Sequence, residues 1–183
     1  MPHRRSRHEL GQAHELTFSC YRRFPFLKAE RTCGWLAEAI EEARRKWSFS
    51  LWAYVFMPDH VHLLVKPERG DAQMSEILKA IKSPVAVRAI AHLVHNAPDW
   101  LPRITRRRGA KSERLFWQSG GGFDRNVNKT GTLLAMIDYI HANPVRKSLV
   151  ERPRDWRWSS AAWFDDGTTV PLAVDPLPKD WLE

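Results

Sequence analysis

The apolar positions of the chain recur with two different periods, which predict strands and helices in alternation. Short runs rich in β-branched and aromatic residues predict four strands, at 16–21, 49–56, 60–66 and one that begins at 115–118. Longer runs, in which apolar residues return every three or four positions, predict three helices, at 30–47, 74–95 and 132–143. We expect Pro84 to interrupt the second helix and Pro144 to end the third, because proline lacks the backbone N–H that a helix interior needs.

The order of these elements is β-α-β-β-α-β followed by a helix, which is typical of a ferredoxin-like (RRM-like) α+β fold. Such a fold has an antiparallel sheet with two helices on one face, here followed by a C-terminal helix. We expect a single domain at residues 15–150, a basic N-terminal arm at 1–14 and a tryptophan-rich tail at 151–183 that packs on the domain.

The second and third strands are close enough to form a hairpin around Met57-Pro58-Asp59. A three-residue turn would pair Phe56 with His60 and Tyr54 with His62. Paired residues share a face of the sheet, so one face would carry Trp52, Tyr54, Phe56, His60, His62 and Leu64. The opposite face would carry the smaller aliphatic side chains under the helices, namely Ala53, Val55, Val61, Leu63 and Val65. The two histidines would then lie on the face that the helices leave open.

Two histidines two residues apart on a strand point the same way, roughly 7 Å apart, and could hold a metal ion. The spacing alone also fits two buried histidines that each hydrogen-bond a neighbour. With 8 histidines in 183 residues, such a pair can also occur by chance. A metal site would need a third ligand, because metal ions seldom bind only two protein donors.

The third helix brings two further polar groups together, since Tyr139 and Asn143 are four residues apart and therefore neighbours on one face. Tyr139 offers a hydroxyl nucleophile, and Asn143 offers a carbonyl oxygen that could ligate a hard divalent ion. Both could equally have ordinary roles, as an interfacial aromatic residue and as the last helical residue before a proline. Tyr54 is a competing nucleophile, whereas Tyr21 has no chemical partner nearby. We favour Tyr139, because a terminal helix suits a nucleophile that must approach and leave its target.

The charge balance favours a polyanionic partner, with 29 Lys and Arg against 21 Asp and Glu and a net charge of +8. Nucleic acid is the leading candidate, and an acidic membrane surface is the second. Cys20 and Cys33 form no disulfide framework or metal pair, and no apolar run approaches the ~18 residues of a membrane span. The basic start of the chain leads into no hydrophobic signal core, so we expect a cytoplasmic protein without membrane contact.

Several segments of the chain resemble a known family, and they occur in that family's order. The sequence YVFMPDHVHLL at 54–64 resembles the HUH signature (His, hydrophobic, His) of IS200-type single-tyrosine transposases. Four further segments resemble the REP-associated tyrosine transposase branch, and they are FWQ at 116–118, FDRN at 123–126, IDYIHANPVR at 137–146 and DWRWSS at 155–160. The resemblance covers about residues 16–164.

This resemblance implies a bacterial metal-dependent endonuclease and strand transferase that acts on single-stranded DNA near hairpins of REP-like repeats. It implies that His60 and His62 hold Mg²⁺ or Mn²⁺, although histidines alone would equally suit Ni²⁺, Co²⁺ or Zn²⁺. Tyr139 would attack the phosphorus, form a 5′-phosphotyrosine link and free a 3′-hydroxyl. Asn143 stands where IS200-type members carry a glutamine as third ligand, and its side chain is shorter.

The arginines are expected to contact DNA, because their planar forks match phosphate geometry. The predicted contacts are Arg4, Arg5 and Arg7 in the arm, Arg103, Arg106, Arg107, Arg108, Lys111 and Arg114 in a loop at 102–114, and Arg146. A solvated charge run remains an alternative for both segments. Trp117, Trp156, Trp158 and Trp163 could stack on unpaired bases, but we favour packing for them.

Two other functions stay open on the sequence alone. One is a nicking enzyme resembling replication initiators or relaxases, and the other is a non-catalytic module that binds hairpin nucleic acid. Both a monomer and a homodimer are compatible with the sequence.

Overall fold

The structure of the chain is a computed structural model that describes residues 12–70, 73–120, 122–127 and 130–182. Three of the predicted DNA contacts, Arg4, Arg5 and Arg7, lie outside the described residues. The strands are β1 (Ala13–Ser19), β2 (Phe49–Phe56), β3 (His60–Pro67), β4 (Thr105–Arg108), β5 (Lys111–Arg114) and β6 (Phe123–Val127). The α-helices are α1 (Glu30–Trp47), α2 (Met74–Asn96), α3 (Leu101–Ile104), α4 (Thr130–Arg146) and α5 (Ala161–Asp166).

Four strands form an antiparallel sheet in the order β2-β3-β1-β6, so β6 pairs with β1. Helices α1 and α2 bury their apolar faces on one side of this sheet, around fully buried residues such as Leu36, Ile40 and Ile77. Helix α4 packs on the other side. The predicted ferredoxin-like α+β fold with a C-terminal helix is confirmed.

The fourth strand of the sheet lies later in the chain than predicted. Residues 115–118 contribute only a bridge between Trp117 and Cys20, and the edge strand is β6. Phe116 and Trp117 are buried, and the Trp117 indole N–H donates to the Lys82 carbonyl at 2.9 Å. Their aromatic side chains therefore fill the core, while the segment that pairs with β1 is more polar.

The two prolines predicted to break helices lie inside them instead. Pro84 is within α2 and Pro144 is within α4. A proline removes one helical hydrogen bond, but Ile81 and Val85 on either side of Pro84 are fully buried. The burial of these neighbours offsets the lost bond, so tertiary packing carries the helix through the proline.

The β2–β3 hairpin has a shorter turn than predicted. As a result, the side chains of β2 near the turn lie on the opposite face of the sheet from the predicted one. The Met57 N–H donates to the His60 carbonyl at 2.8 Å, so only Pro58 and Asp59 lie in the turn. Val55 therefore pairs with His62, and Tyr54 pairs with Leu63. Tyr54 and Phe56 belong to the core under α1 and α2, contrary to the prediction, together with Val61, Leu63 and Val65.

The face of the sheet away from α1 and α2 carries the histidines, as predicted, but with different β2 neighbours. An irregularity between Leu51 and Ala53 places Trp52 on this face as predicted and also brings Ala53 there. The apolar side chains of α4 cover part of this face, and they are Leu133, Met136, Ile137 and Ile140.

The segment after α4 lies against both sides of the domain. The Asp175 carboxylate accepts hydrogen bonds from the Arg44 guanidinium and the Leu51 backbone N–H, both at 2.7 Å. Trp158 stacks on Phe56 with ring centroids 5.7 Å apart, and the Trp156 N–H donates to the Phe56 carbonyl at 2.9 Å. Trp163 meets Phe164 edge to face. The tail tryptophans thus make packing contacts within the protein.

Both cysteines are buried free thiols, and burial raises the pKa of Cys20 and of Cys33 to about 12. Neither is therefore poised as a thiolate nucleophile. Among the residues that the structure describes, no helix is both long and apolar enough to cross a membrane.

Acidification should destabilise the protein through His141, which is buried and shares a 2.8 Å hydrogen bond with the Ser160 hydroxyl. Burial lowers the pKa of His141 to about 4, against about 6.5 in an unfolded chain. The unfolded chain therefore binds the proton first as pH falls through 6.5, and the loss of stability levels off below about pH 4. Between pH 7.5 and 5 this group should cost about 2 kcal/mol of unfolding free energy.

Urea unfolding of the wild type and of His141→Gln at both pH values checks this expectation. The variant should lose less stability on acidification than the wild type does. Equal losses in the two proteins would show that His141 is not the group responsible.

Candidate active site

An open cavity of about 860 Å³ lies between the exposed part of the histidine face and helix α4. It contains both predicted histidines, the predicted nucleophile and the predicted third ligand. Its lining residues are Glu15, Thr17, Arg23, Asp59, His60, His62, Phe123, Arg125, Thr132, Ala135, Met136, Tyr139, Asn143 and Lys147.

The two imidazoles lie side by side, with ring centroids 5.0 Å apart and planes at 76°. The His60 Nδ1–H donates to the Asp59 carboxylate at 2.7 Å. The His62 Nδ1 lies 3.0 Å from the Glu15 carboxylate and 2.9 Å from the Thr17 hydroxyl, which itself donates to Glu15 at 2.8 Å. With each Nδ1 engaged in this way, each Nε2 keeps its lone pair for an external ligand.

The surroundings lower the pKa values of two of these groups, His60 and Glu15. Burial is the largest influence on the pKa of His60, and the pKa is lowered overall although the neighbouring Asp59 carboxylate raises it. Burial alone would raise the pKa of Glu15, but hydrogen bonds from His62 and Thr17 and the nearby charge of Arg125 lower it overall. A carboxylate hydrogen-bonded to the Nδ1 side of an imidazole is the usual support of a metal-binding histidine.

Tyr139 borders this pair on α4, where its side chain is 42% exposed. Its ring meets the His62 ring edge to face, with centroids 5.7 Å apart, and the Arg146 guanidinium lies 5.3 Å from the Tyr139 ring centroid. Ile137 and Ile140 on the neighbouring faces of α4 are buried, which fixes the direction of the tyrosine.

Tyr54, the competing nucleophile, lies on the opposite face of the sheet and is fully buried. Its hydroxyl accepts a hydrogen bond from the Leu172 N–H at 3.2 Å, and burial raises its pKa. The shorter hairpin turn thus removes Tyr54 from the site.

Asn143 lines the cavity one helical turn after Tyr139 and is mostly buried. Its Nδ2 donates to the carbonyls of Tyr139 at 2.8 Å and of Ile140 at 3.3 Å. The amide nitrogen is thereby committed to the helix, and the amide oxygen is the atom left to act as a ligand. Across the described part of the chain, no group of three or more His, Cys, Asp and Glu side chains could hold a metal ion.

The sequence reasoning missed the groups that support the site. Glu15 and Thr17 lie on β1 opposite Leu64 and His62 of β3, a register that one strand's pattern does not reveal. Asp59 stands inside the quoted HUH segment, but its contact with His60 depends on the turn. Three cations of the cavity were also missed, and they are Arg23, Arg125 and Lys147.

The predicted basic loop at 102–114 is a hairpin rather than a loop, formed by β4 and β5. Its residues are absent from the cavity lining. Arg103 lies on α3, where its guanidinium is 4.6 Å from the Trp100 ring centroid. Of the predicted basic contacts in the described residues, Arg146 is therefore the one that the fold brings to Tyr139.

Removing the carboxylate charge beside His62 should weaken the metal binding that the sequence predicts, without removing a predicted ligand. In Glu15→Gln the amide no longer polarises the imidazole, and we expect roughly 10- to 100-fold weaker Mn²⁺ affinity, the usual loss when such a supporting group is changed. Calorimetric titration with Mn²⁺ measures this effect. Glu76→Gln, on the surface of α2, is the matched control, and an equal affinity in both variants would contradict the role of Glu15.

Comparison with known proteins agrees with the predicted family and fold. The family model described as "Transposase IS200 like" matches residues 9–101. An Escherichia coli K12 protein named REP-associated tyrosine transposase is 26% identical over 125 residues, which cover 68% of this chain and 62% of that protein. A Haemophilus influenzae protein named "Putative REP-associated tyrosine transposase" is 24% identical over 165 residues, which cover 86% of this chain and 85% of that protein.

A solved structure of a REP-associated tyrosine transposase bound to a REP hairpin shares the fold. Its TM-score is 0.68 at 21% identity, over 97% of this chain and 100% of that one. The family match spans half of the chain, so the chain belongs to the IS200-like transposase family. Its relatives in these comparisons carry the name of the branch that the sequence motifs indicate.

Proposed function

We propose that this protein is a metal-dependent single-stranded DNA endonuclease and strand transferase that acts beside DNA hairpins through a 5′-phosphotyrosine intermediate. The observation that carries the proposal is the position of Tyr139, half-exposed and 5.7 Å from the His62 ring centroid, in a cavity that also holds His60 and three cationic side chains.

The residues of the site fit a divalent metal ion, Mg²⁺ or Mn²⁺. His60 and His62 would hold it through their Nε2 atoms, and the Asn143 amide oxygen would be the third protein ligand. When bound, such an ion neutralises phosphate charge and orients the scissile group. Asp59, Glu15 and Thr17 orient the two imidazoles before DNA arrives.

Tyr139 performs the covalent step. Its hydroxyl oxygen bonds to phosphorus, the bond from phosphorus to the 3′-oxygen breaks, and the phenol loses its proton as the 3′-oxygen gains one. The products are a 5′-phosphotyrosine and a free 3′-hydroxyl. Attack by a different 3′-hydroxyl reverses the same steps and joins two strands.

The cations of the site hold the DNA backbone around this reaction. Arg23, Arg125 and Lys147 line the cavity, and Arg146 lies against the Tyr139 ring. Their charges offset the repulsion between a phosphodiester and an incoming phenol oxygen.

Formation of a covalent adduct tests the proposal. The protein is incubated with labelled hairpin DNA that carries single-stranded extensions, with Mn²⁺ or Mg²⁺, and is then denatured in SDS. A DNA–protein adduct and a released fragment with a 3′-hydroxyl are expected. Binding that is insensitive to a chelator, with no adduct and no cleavage across varied hairpins, would instead indicate a non-catalytic binding module.

The β4–β5 hairpin is proposed to bind the duplex stem of the DNA hairpin. The related transposase structure that is bound to a REP hairpin supports a ligand of this kind. A two-stranded ribbon fits a DNA groove. Paired residues share a face, so Arg107 and Arg114 lie together with Ser112 and Thr105, on a face without an acid. The other face carries Arg108 and Lys111, together with Arg106, which is ion-paired to Glu113.

Loss of both arginines from the acid-free face should weaken hairpin binding and reduce its salt dependence. For the double variant Arg107→Ala, Arg114→Ala we expect roughly 10-fold weaker binding and a log–log salt slope smaller by about 2, one unit for each phosphate contact. Fluorescence anisotropy at several salt concentrations measures both quantities. The control is Arg45→Ala, which changes an exposed arginine on α1. Equal salt slopes for the double variant and this control would contradict DNA binding by the β4–β5 hairpin.

A further inference from the structure

Phe123 is an apolar residue at the edge of the cavity that the proposed chemistry does not use. It is the first residue of β6 and is 57% exposed, although an aromatic side chain gains most by burial. It lines the same cavity as the histidines and Tyr139.

The strand register places Phe123 in a row with the metal-binding pair. Thr17 of β1 pairs with His62 on one side and with Phe123 on the other. Paired residues share a face, and neighbouring strands lie about 4.8 Å apart, so Phe123 is two strands, or about 10 Å, from His62. That separation suits a nucleotide whose base lies on Phe123 while a neighbouring phosphate lies at the histidines.

The backbone before Phe123 is built to bring it close to β1. Gly122 has φ +80°, and a Cβ at that position would lie 2.2 Å from the Thr17 carbonyl oxygen. Any other residue would push the start of β6 away from Thr17. The start of β6, and with it Phe123, is therefore held against β1 by a close approach that only glycine allows.

The charges around the ring select the class of ligand. Arg125 is two residues further along β6 on the same face, and Arg23 and Lys147 line the same cavity. An exposed aromatic face beside cations is the usual platform for an unpaired base and its phosphate.

We propose that Phe123 stacks on one unpaired base next to the scissile phosphate and so sets which phosphate reaches Tyr139. The inference rests on the proposed function, because it assumes that single-stranded DNA occupies this cavity. It adds a substrate-positioning residue on β6, apart from the histidines and the tyrosine helix.

A coupling experiment tests the stacking. The protein carries Tyr139→Phe, so that binding is reversible, and the probe is a labelled hairpin with a single-stranded extension in which each base in turn is replaced by an abasic residue. We expect Phe123→Ala to weaken binding of the intact probe about 10-fold and one abasic position to do the same in the parent protein. Phe123→Ala combined with that abasic probe should weaken binding no more than either change does alone. Phe123→Trp should restore the affinity for the intact probe.

The control is Val87→Ala, which removes an exposed apolar side chain, 69% exposed, from α2. It should leave the abasic profile of the parent protein unchanged. The stacking is overturned if Phe123→Ala weakens every abasic probe by the same factor, or if it instead dissociates a dimer seen by sedimentation.

Failure of this inference is distinguishable from failure of the proposed function. An SDS-resistant adduct formed by the protein with Tyr139 intact, without coupling at Phe123, overturns only the stacking. Coupling at Phe123 without any adduct supports the stacking and overturns only the strand transfer.

Discussion

Replacing Tyr139 by Phe is expected to abolish the covalent DNA–protein adduct, with a loss of at least about 10³-fold in strand cleavage. The substitution removes a single oxygen, the atom that would bond to phosphorus, and a lost nucleophile is among the most damaging changes to an enzyme. The ring would keep its contacts with His62 and with Arg146, so the fold and DNA binding should persist. Denaturing gels of the incubated protein and DNA measure the adduct.

Tyr21→Phe is the matched control for this experiment, because it removes the same atom from a buried tyrosine that does not line the cavity. It should form the adduct at the wild-type level. An adduct that persists in Tyr139→Phe would show that another residue is the nucleophile.

Loss of either histidine should have an effect of similar size. In His60→Ala or His62→Ala one of the two imidazoles proposed to bind the metal ion is gone. We expect cleavage to fall by about 10³-fold, the scale on which electrostatic stabilisation of a transition state acts. EDTA should stop the wild-type reaction, and added Mn²⁺ should restore it. The measurements are cleavage rates together with far-UV circular dichroism, which shows that each variant is folded.

His95→Ala is the control for the histidine variants, since His95 is exposed near the end of α2. It should cleave like the wild type. Full cleavage in the presence of the chelator would contradict the proposed metal dependence, and the histidines would then need another role.

The sequence was most informative where a pattern is local and strong. Helix α1 has the predicted bounds, Glu30–Trp47, because its apolar positions recur regularly among charges. The histidines and Tyr139 were selected from local motifs, and the fold brings them into one cavity.

The errors arose where distant contacts decide the outcome. Pro84 breaks a helix by its own chemistry, but the burial of its neighbours overrides that tendency. The faces of Tyr54 and Phe56 depend on whether the turn holds two residues or three, and apolar side chains would suit either face. Glu15 was missed because only the pairing of β1 with β3 brings it to His62.

The turn at Pro58 and Asp59 also links the arrangement of the two histidines to the integrity of the core. Val61 lies between the two histidines and points the opposite way, into the layer under α1 and α2, where it is fully buried. A shift of β3 by one residue would turn His60 and His62 into that layer and expose Val61, Leu63 and Val65. Exposing three such side chains costs about 5 kcal/mol or more, comparable to the whole stability of a small domain. Side chains in the cavity can therefore change in evolution without loss of the fold, whereas a change in the length of the turn would destabilise the fold as well.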